Sequence, residues 1–437
     1  MRIWIKGFML VLSTCGAASA DWPEFRGPHG DGHLVAESGT QPSQLPLTWS
    51  ETENVVWKTA IPHKGWSTPV IMNGMVWLAT ATEDGHDFYA IAVDEATGKV
   101  RFNKHLFHAD KPEPLGNKVN CYASPTPAVE LGRVYIHFGS YGTACLDTAT
   151  AAVVWERQDL PCRHFRGPGS SVIIFKDLLI LTMDGIDLQY MVALDKKTGK
   201  TVWKTDRTAL WNDLGADGKP IGDGDLRKAY STPLICEVGG KPMMVSAGAK
   251  AIYGYDPQTG EELWKVQHGG QGNAARPVVG LGMAFVSTGF STPEFLAIRL
   301  DGARGDVTAK NIVWRTKKGA PKMPSPILLD DLVFMLSDEG MVSCLEAQNG
   351  KEIWKERIGG AYAASLMLAG DRLYCLSQDG KATVLKASRQ YQVLAKNVLA
   401  SGFMASPAAS GKSLYLRTKT DLYRIENGPV KTSATRN

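Results

Sequence analysis

One repeated spacing constrains this chain more than any other feature. An acidic residue closes a short apolar run, Thr-Gly follows three and four positions later, and an aromatic follows at eight. Asp94, Thr97, Gly98 and Phe102 carry it, as do Asp195, Thr198, Gly199 and Trp203, and again Asp256, Thr259, Gly260 and Trp264. Asp147 to Trp155 keeps the spacing with Thr150-Ala151 at the turn, and Glu346 to Trp354 keeps it with Asn349-Gly350. Two copies are worn: Asp301 reaches Trp314 through a longer connection containing Gly302 and Gly305, and Lys386 leads to Leu394. A strand that ends on an acid, turns over Thr-Gly and resumes in apolar alternation is a β-hairpin, because its turn needs a residue that tolerates positive φ. The aromatic then lands on the outgoing strand. A unit too small to bury its own faces can use that large side chain as a wedge against its neighbour.

A second landmark alternates with the first: Ser67-Thr68-Pro69, Ser124-Pro125, Ser170-Ser171, Ser231-Thr232-Pro233, Arg276-Pro277, Ser325-Pro326, Ala364-Ser365 and Ser406-Pro407. Each opens an apolar strand-like run, and proline is tolerated at a strand's first residue. Eight openings are followed by only seven internal hairpin ends, from Phe102 to Leu394, so the eighth unit lacks its outer strand. Asn54 to Thr59, carrying Trp57, supplies it. Aromatic spacings of 40 to 61 residues suit a four-stranded blade of about 40 to 50 residues plus loops. The expectation is an all-β chain: a single eight-bladed β-propeller of four-stranded antiparallel blades over 54–430. Pairing of the N-terminal strand with the C-terminal blade closes the ring and removes exposed edges. Residues 21–53 read as an extended leader packed across the propeller, and 431–437 as a flexible tail.

The first twenty residues carry Arg2 and Lys6 around an apolar run, then Ala18-Ser19-Ala20. This is the pattern of a secretory signal peptide cleaved near Ala20. A competing reading, a lipoprotein cut before Cys15, places Thr14 where a smaller residue is preferred. Beyond it no stretch approaches eighteen uninterrupted apolar residues, so the expected location is periplasmic or extracellular, without a transmembrane span. Once Arg2 and Lys6 are removed, 46 basic residues face 44 acidic ones. That balance gives no reason to expect a nucleic-acid partner. Cys121, Cys145, Cys162, Cys236, Cys344 and Cys375 show no C-x-x-C spacing, which leaves haem attachment and zinc knuckles unsupported. Cys121 and Cys162 lie in loops, where a bridge is conceivable in an oxidising compartment. His29, His33, His137 and His164 are dispersed, and no metal site is expected.

The D-x-x-T-G-x-x-x-W spacing resembles the tryptophan-docking repeat of the pyrroloquinoline-quinone-like propellers, the family of the BamB-like and quinoprotein-dehydrogenase-like folds. The leader WPEFRGP, with NVVWKT, is similar to that of exported repeat proteins of this family. The resemblance covers nearly the whole mature chain and implies fold far more securely than function. Its enzyme branch implies a quinone held beside two adjacent cysteines, on a tryptophan platform, with a cation bound by carboxylates. Here Cys121 is followed by Tyr122, and Asp184 and Asp187 have no partner that the sequence places. No cofactor is therefore expected; pyrroloquinoline quinone with calcium belongs to the alternative reading.

In a propeller the segments ahead of each strand opening gather on one face and rim the central channel. They hold Lys64, Trp66, Asn120, Tyr122, His164 and Arg166. Further on they hold Arg227, Tyr230, Asn273, Arg276, Lys322 and Met323, then Tyr362, Phe403 and Met404. Aromatic and basic residues outnumber acids there, which suits an envelope protein, a peptide or a polysaccharide; plugging of the channel is the competing use. The two long connections, Asn103 to Ala123 and Lys204 to Tyr230, are the first places to look. Asp223-Gly224-Asp225 lacks the ligand series of a calcium loop and reads as a turn, as does Arg304-Gly305-Asp306. The function expected is an exported, monomeric, non-catalytic binding or scaffold propeller; the alternative is a quinoprotein oxidoreductase with a divergent pocket.

Overall fold

The computed structural model describes residues 21–34, 44–116 and 119–428. The signal-peptide pattern of residues 1–20, leader residues 35–43 and the expected tail 431–437 fall outside them. Eight antiparallel sheets follow one another around a ring. Blade 1 comprises Val70–Met72, Met75–Ala81, Asp87–Asp94 and Val100–His108 from the inside outward. Blades 2 to 7 repeat this order with inner strands starting at Ala128, Ile173, Leu234, Val278, Ile327 and Met367. Blade 8 takes Ala408–Ser410, Ser413–Arg417 and Asp421–Ile425 from the C-terminal end and Val55–Ala60 from the N-terminal end. The closing pair runs antiparallel from Val55 against Ile425 to Ala60 against Asp421, as the strand count requires.

The repeat works as hairpin chemistry first and as a wedge second. In blade 1, Asp94 Oδ1 accepts the Thr97 N–H at 2.9 Å and the Thr97 hydroxyl at 2.8 Å, and Gly98 turns the chain at φ 73°. The tryptophan of the preceding blade lies on that turn: a Cβ on Gly98 would stand 2.7 Å from the Trp57 ring. The Trp57 indole N–H donates to the Glu95 carbonyl at 3.0 Å. Trp155 does the same to Lys196, Trp314 to Ala347 and Trp354 to Ser388. Blades 8, 2, 3, 5 and 6 thus lock onto the hairpin of the next. The buried cores run across blade boundaries rather than within blades, with Val134 and Ile136 of blade 2 in one cluster with Trp77 and Phe88 of blade 1.

Blade 5 departs from the pattern. Its widened hairpin swings outward, and Gly305–Asp306 pairs in parallel with Trp264 and Lys265 on the outer edge of blade 4. Arg304-Gly305-Asp306, read above as a turn, is therefore a strap carrying a short strand. The physical reason is coverage: Trp264 becomes fully buried beneath it, whereas Trp155 and Trp203 keep 9% of their surface exposed.

The leader closes one end of the channel. Trp22 bridges Ile71 of blade 1, and Pro23 accepts from Val129 of blade 2. The chain then crosses to blades 5, 6 and 7, where Arg276 donates to the Phe25 carbonyl and Arg26 donates to the carbonyls of Ser325, Pro326 and Leu366. His33–Leu34 adds a parallel strand inside Met367–Ala369. After the undescribed segment, Trp49 stacks on Tyr374 with ring centroids 6.3 Å apart on the way to blade 8.

Candidate functional site

The inner strands determine the site. Two residues ahead of each stand Thr68, Thr126, Ser171, Thr232, Arg276, Ser325, Ser365 and Ser406, seven hydroxyls and one guanidinium in equivalent positions. They bond from blade to blade in two arcs. Thr68 N–H donates to Thr126 Oγ1 at 3.0 Å, Thr126 N–H to Ser171 Oγ at 2.9 Å, and Ser171 N–H to Thr232 Oγ1 at 2.9 Å. The second arc runs from Arg276 through Ser325 and Ser365 to Ser406, at 2.9 to 3.0 Å. Every hydroxyl but that of Thr68 accepts the strand-opening N–H of the blade before, and a buried N–H demands such a partner. The second sequence landmark owes its recurrence to this hydroxyl ring, and proline merely follows it.

Above the ring lies a cavity of about 430 Å³. Phe25 of the leader forms part of its base, and Trp66, Tyr230, Phe290, Met323 and Met404 line its wall. Of the rim residues expected from sequence, Trp66, Asn120, Arg166 and Tyr230 meet there, together with Met323 and Met404. The others lie elsewhere. Lys64 pairs with Glu83 at 2.9 Å, and Lys322 with Glu339 at 2.7 Å. Tyr122 donates to the Glu113 carbonyl between blades 1 and 2, and Arg227 is bidentate to Asp213. Asn273, Tyr362 and Phe403 are buried. Arg276 sits in the ring, paired with Glu24 at 2.8 Å. His164 is buried, accepting the Ser140 N–H at Nε2 and lying 3.0 Å from Lys228 Nζ at Nδ1, and burial holds its pKa well below the usual imidazole range.

Both long connections build the wall. Asn120 Nδ2 donates to the carbonyls of Arg166 and Pro168 at 2.8 and 3.0 Å, tying the first to blade 3. From the second, Asp225 receives Arg166 through two bonds of 2.7 Å. That doubly bonded carboxylate is the role of the Asp223-Gly224-Asp225 segment, which turns through left-handed backbone. Asp184, which had no partner from sequence, forms a fully buried bidentate pair with Arg207 at 3.0 and 2.8 Å. Cys121 and Cys162 are both free thiols: one faces Ser124 and the other His164.

Sequence reasoning missed Phe25, the ring hydroxyls, Asp225, Lys228, Gln271 and Phe290 as lining residues. Alignment of the hydroxyls to the inner strands was an available signal. Nothing in the aperiodic leader marked Phe25.

The model of the family described as outer membrane protein assembly factor BamB matches residues 23–158, 51–210 and 187–428. The chain belongs to the BamB family. BamB from Moraxella catarrhalis superposes with a TM-score of 0.58 at 14% identity, over 85% of this chain and 99% of that one. The quinohemoprotein alcohol dehydrogenase from Comamonas testosteroni gives 0.66 at 12%, over 96% and 82%. A europium-containing methanol dehydrogenase gives 0.54 at 12%, over 93% and 98%. At such identities these likenesses carry the fold alone. No curated protein matches in sequence. No helix among the described residues is long and apolar enough to cross a membrane.

Proposed function

We propose that this BamB-family chain is an exported binding propeller that captures, in its channel mouth, a group presented by an envelope protein, peptide or polysaccharide. The observation that carries the reading is the 430 Å³ cavity, with Phe25 at its base and an aromatic and methionine wall. Aromatic and Met side chains of this kind favour anchoring of a partner's side chain or end group. The polar wall groups Arg166 and Asp225 are spent on each other, so they position the loops rather than act on a substrate. Export is supported by the signal pattern of residues 1–20 and by the family. A photo-crosslinking residue at Phe290, which is 38% exposed, should trap one defined envelope partner in cells, and Trp66→Ala should abolish the product. Crosslinking that ignores Trp66→Ala would overturn the reading.

The quinoprotein likeness favours a second reading, in which the cavity holds a quinone with a cation. Its residues do not fit that pair. The cavity contributes a single carboxylate, Asp225, already doubly bonded to Arg166, and among the described residues no group of three His, Cys, Asp or Glu could hold a metal ion. Adding pyrroloquinoline quinone and calcium to the purified protein tests this. A bound-quinone absorbance with alcohol-dependent dye reduction would reinstate the enzyme.

A further inference from the structure

The ring leaves hydroxyl protons unspent. Thr126, Thr232, Ser171 and Ser406 each accept a backbone N–H from the blade before, and none of the four, nor Thr68, donates its own proton to an acceptor among the described residues. All five are more than nine-tenths buried, and all five line the cavity. A hydroxyl carries one donor, and a buried donor without an acceptor is costly. The floor therefore presents a circle of donors converging on one space.

The surrounding charge is positive on balance. Arg26 donates only to carbonyls, of Asp31, Ser325, Pro326 and Leu366. Arg417 donates to the Ser67 and Ala79 carbonyls and the Ser67 hydroxyl, beside Trp66 and Thr68. Burial lowers Arg26 to about 9 and Arg417 to about 10, which leaves both charged at neutral pH. The nearby acids are Glu24, which answers Arg276, Asp31, close to Arg26, and Asp225 of the cavity wall, held by Arg166. Neither Arg26 nor Arg417 lines the cavity, so they supply a positive potential from behind its surface and the bonding falls to the hydroxyls.

We propose that this floor binds a carboxylate whose ligand body is apolar or aromatic and packs against Trp66, Tyr230 and Phe290. Neutral hydroxyl donors in a partly compensated positive field match one negative charge with two acceptor oxygens better than a dianion or a cation. The body fits the apolar wall, and the source is either a free carboxylic acid or the C-terminus of a peptide. This deepens the reading of the cavity as a ligand pocket and rests on it.

Calorimetric titration of the full mature chain compares hydrocinnamate, N-acetyl-Gly-Phe and N-acetyl-Gly-Phe amide. Both acids should bind, and the amide should be weaker by about tenfold or more, since it replaces a charge-assisted acceptor with a neutral one. Trp66→Ala should weaken all three; Thr232→Val should weaken the acids and spare the amide, with Thr232→Ser restoring them. Tighter binding of the peptide points to a chain terminus, and tighter binding of hydrocinnamate to a free acid. Equal affinity for acid and amide overturns the carboxylate inference while leaving the pocket reading intact. Absence of acid binding alongside Trp66-dependent crosslinking does the same. Loss of both signals overturns the two together.

Discussion

Two rings of repeated side chains run around this molecule, and they serve opposite ends. The outer ring, Trp57, Trp155, Trp203, Trp314 and Trp354, joins one blade to the next by burying an indole on a hairpin turn, while Trp264 turns back onto Met243 of its own blade. The inner ring of Ser and Thr also links blade to blade, but five of its members, Thr68, Thr126, Ser171, Thr232 and Ser406, keep a proton that faces an open cavity. A joint buried wholly in the packing between neighbouring blades makes structure. A joint with donors to spare makes a place for a ligand.

Trp155→Ala should break this comparison most severely if it is wrong. The indole is 9% exposed, packs against Tyr135 at 6.1 Å and donates to Lys196. Its loss should cost about 3 to 5 kcal/mol, read as a lower urea midpoint, while hydrocinnamate binding by the protein that remains folded stays unchanged. Altered binding at unaltered stability would reverse the roles of the two rings.

Between the rings, at the margin of blade 6, Asp338 gives the next largest effect. Burial raises its carboxyl to about 6; Oδ2 accepts the Lys322 N–H at 2.7 Å, and Oδ1 has no partner among the described residues. A carboxyl whose folded pKa lies above its ordinary 3.8 binds its proton more tightly in the folded state. It therefore opposes folding above about pH 6 and stops doing so as pH falls toward 4. Asp338→Asn should raise stability by about 2 to 3 kcal/mol at pH 8 and leave it unchanged near pH 4, in urea titrations at both values. A gain of equal size at both would show that charge burial is not its source.

How much of this was legible in the sequence follows from the same contrast. The outer ring was readable because its turn chemistry is local: Asp94, Thr97 and Gly98 interact within five residues, so the spacing survives wherever the hairpin does. The inner ring was visible as recurring Ser and Thr, yet its meaning is non-local. Thr68 bonds Thr126, 58 residues away, and only the closed circle shows why. The floor was less legible still. Phe25 comes from a leader without periodicity, and Arg26 reaches Ser325, about 300 residues distant. Of fifteen expected rim residues, six meet in the cavity, because loop length decides which side chains turn inward and which, like Lys64 and Lys322, pair along the rim.

Gly98→Ala tests the outer ring more finely. A Cβ would enter the Trp57 ring at 2.7 Å from a left-handed backbone, and the two penalties together should cost about 2 kcal/mol. The double variant with Trp57→Ala should recover part of that loss, since the clash disappears with the indole. Strict additivity of the two costs would mean that turn and wedge are independent.

The smallest effect has the opposite sign. Blade 2 keeps the repeat's spacing but places Ala151 where other blades use glycine, and Ala151 sits at φ 55°. The turn is otherwise intact, with Asp147 Oδ1 accepting the Thr150 N–H at 3.0 Å and its hydroxyl at 2.9 Å. A left-handed L-residue carries about 1 kcal/mol of strain, which Ala151→Gly would relieve at the expense of a looser unfolded chain. The net gain should be about 0.5 kcal/mol in the urea midpoint. Phe102, the one aromatic of the repeat that is not a tryptophan, packs against the cluster that holds Ala151. A stabilisation well above 1 kcal/mol would show that the alanine also strains the packing of Phe102, and a loss would show that its methyl group contributes contacts that the strain argument omits.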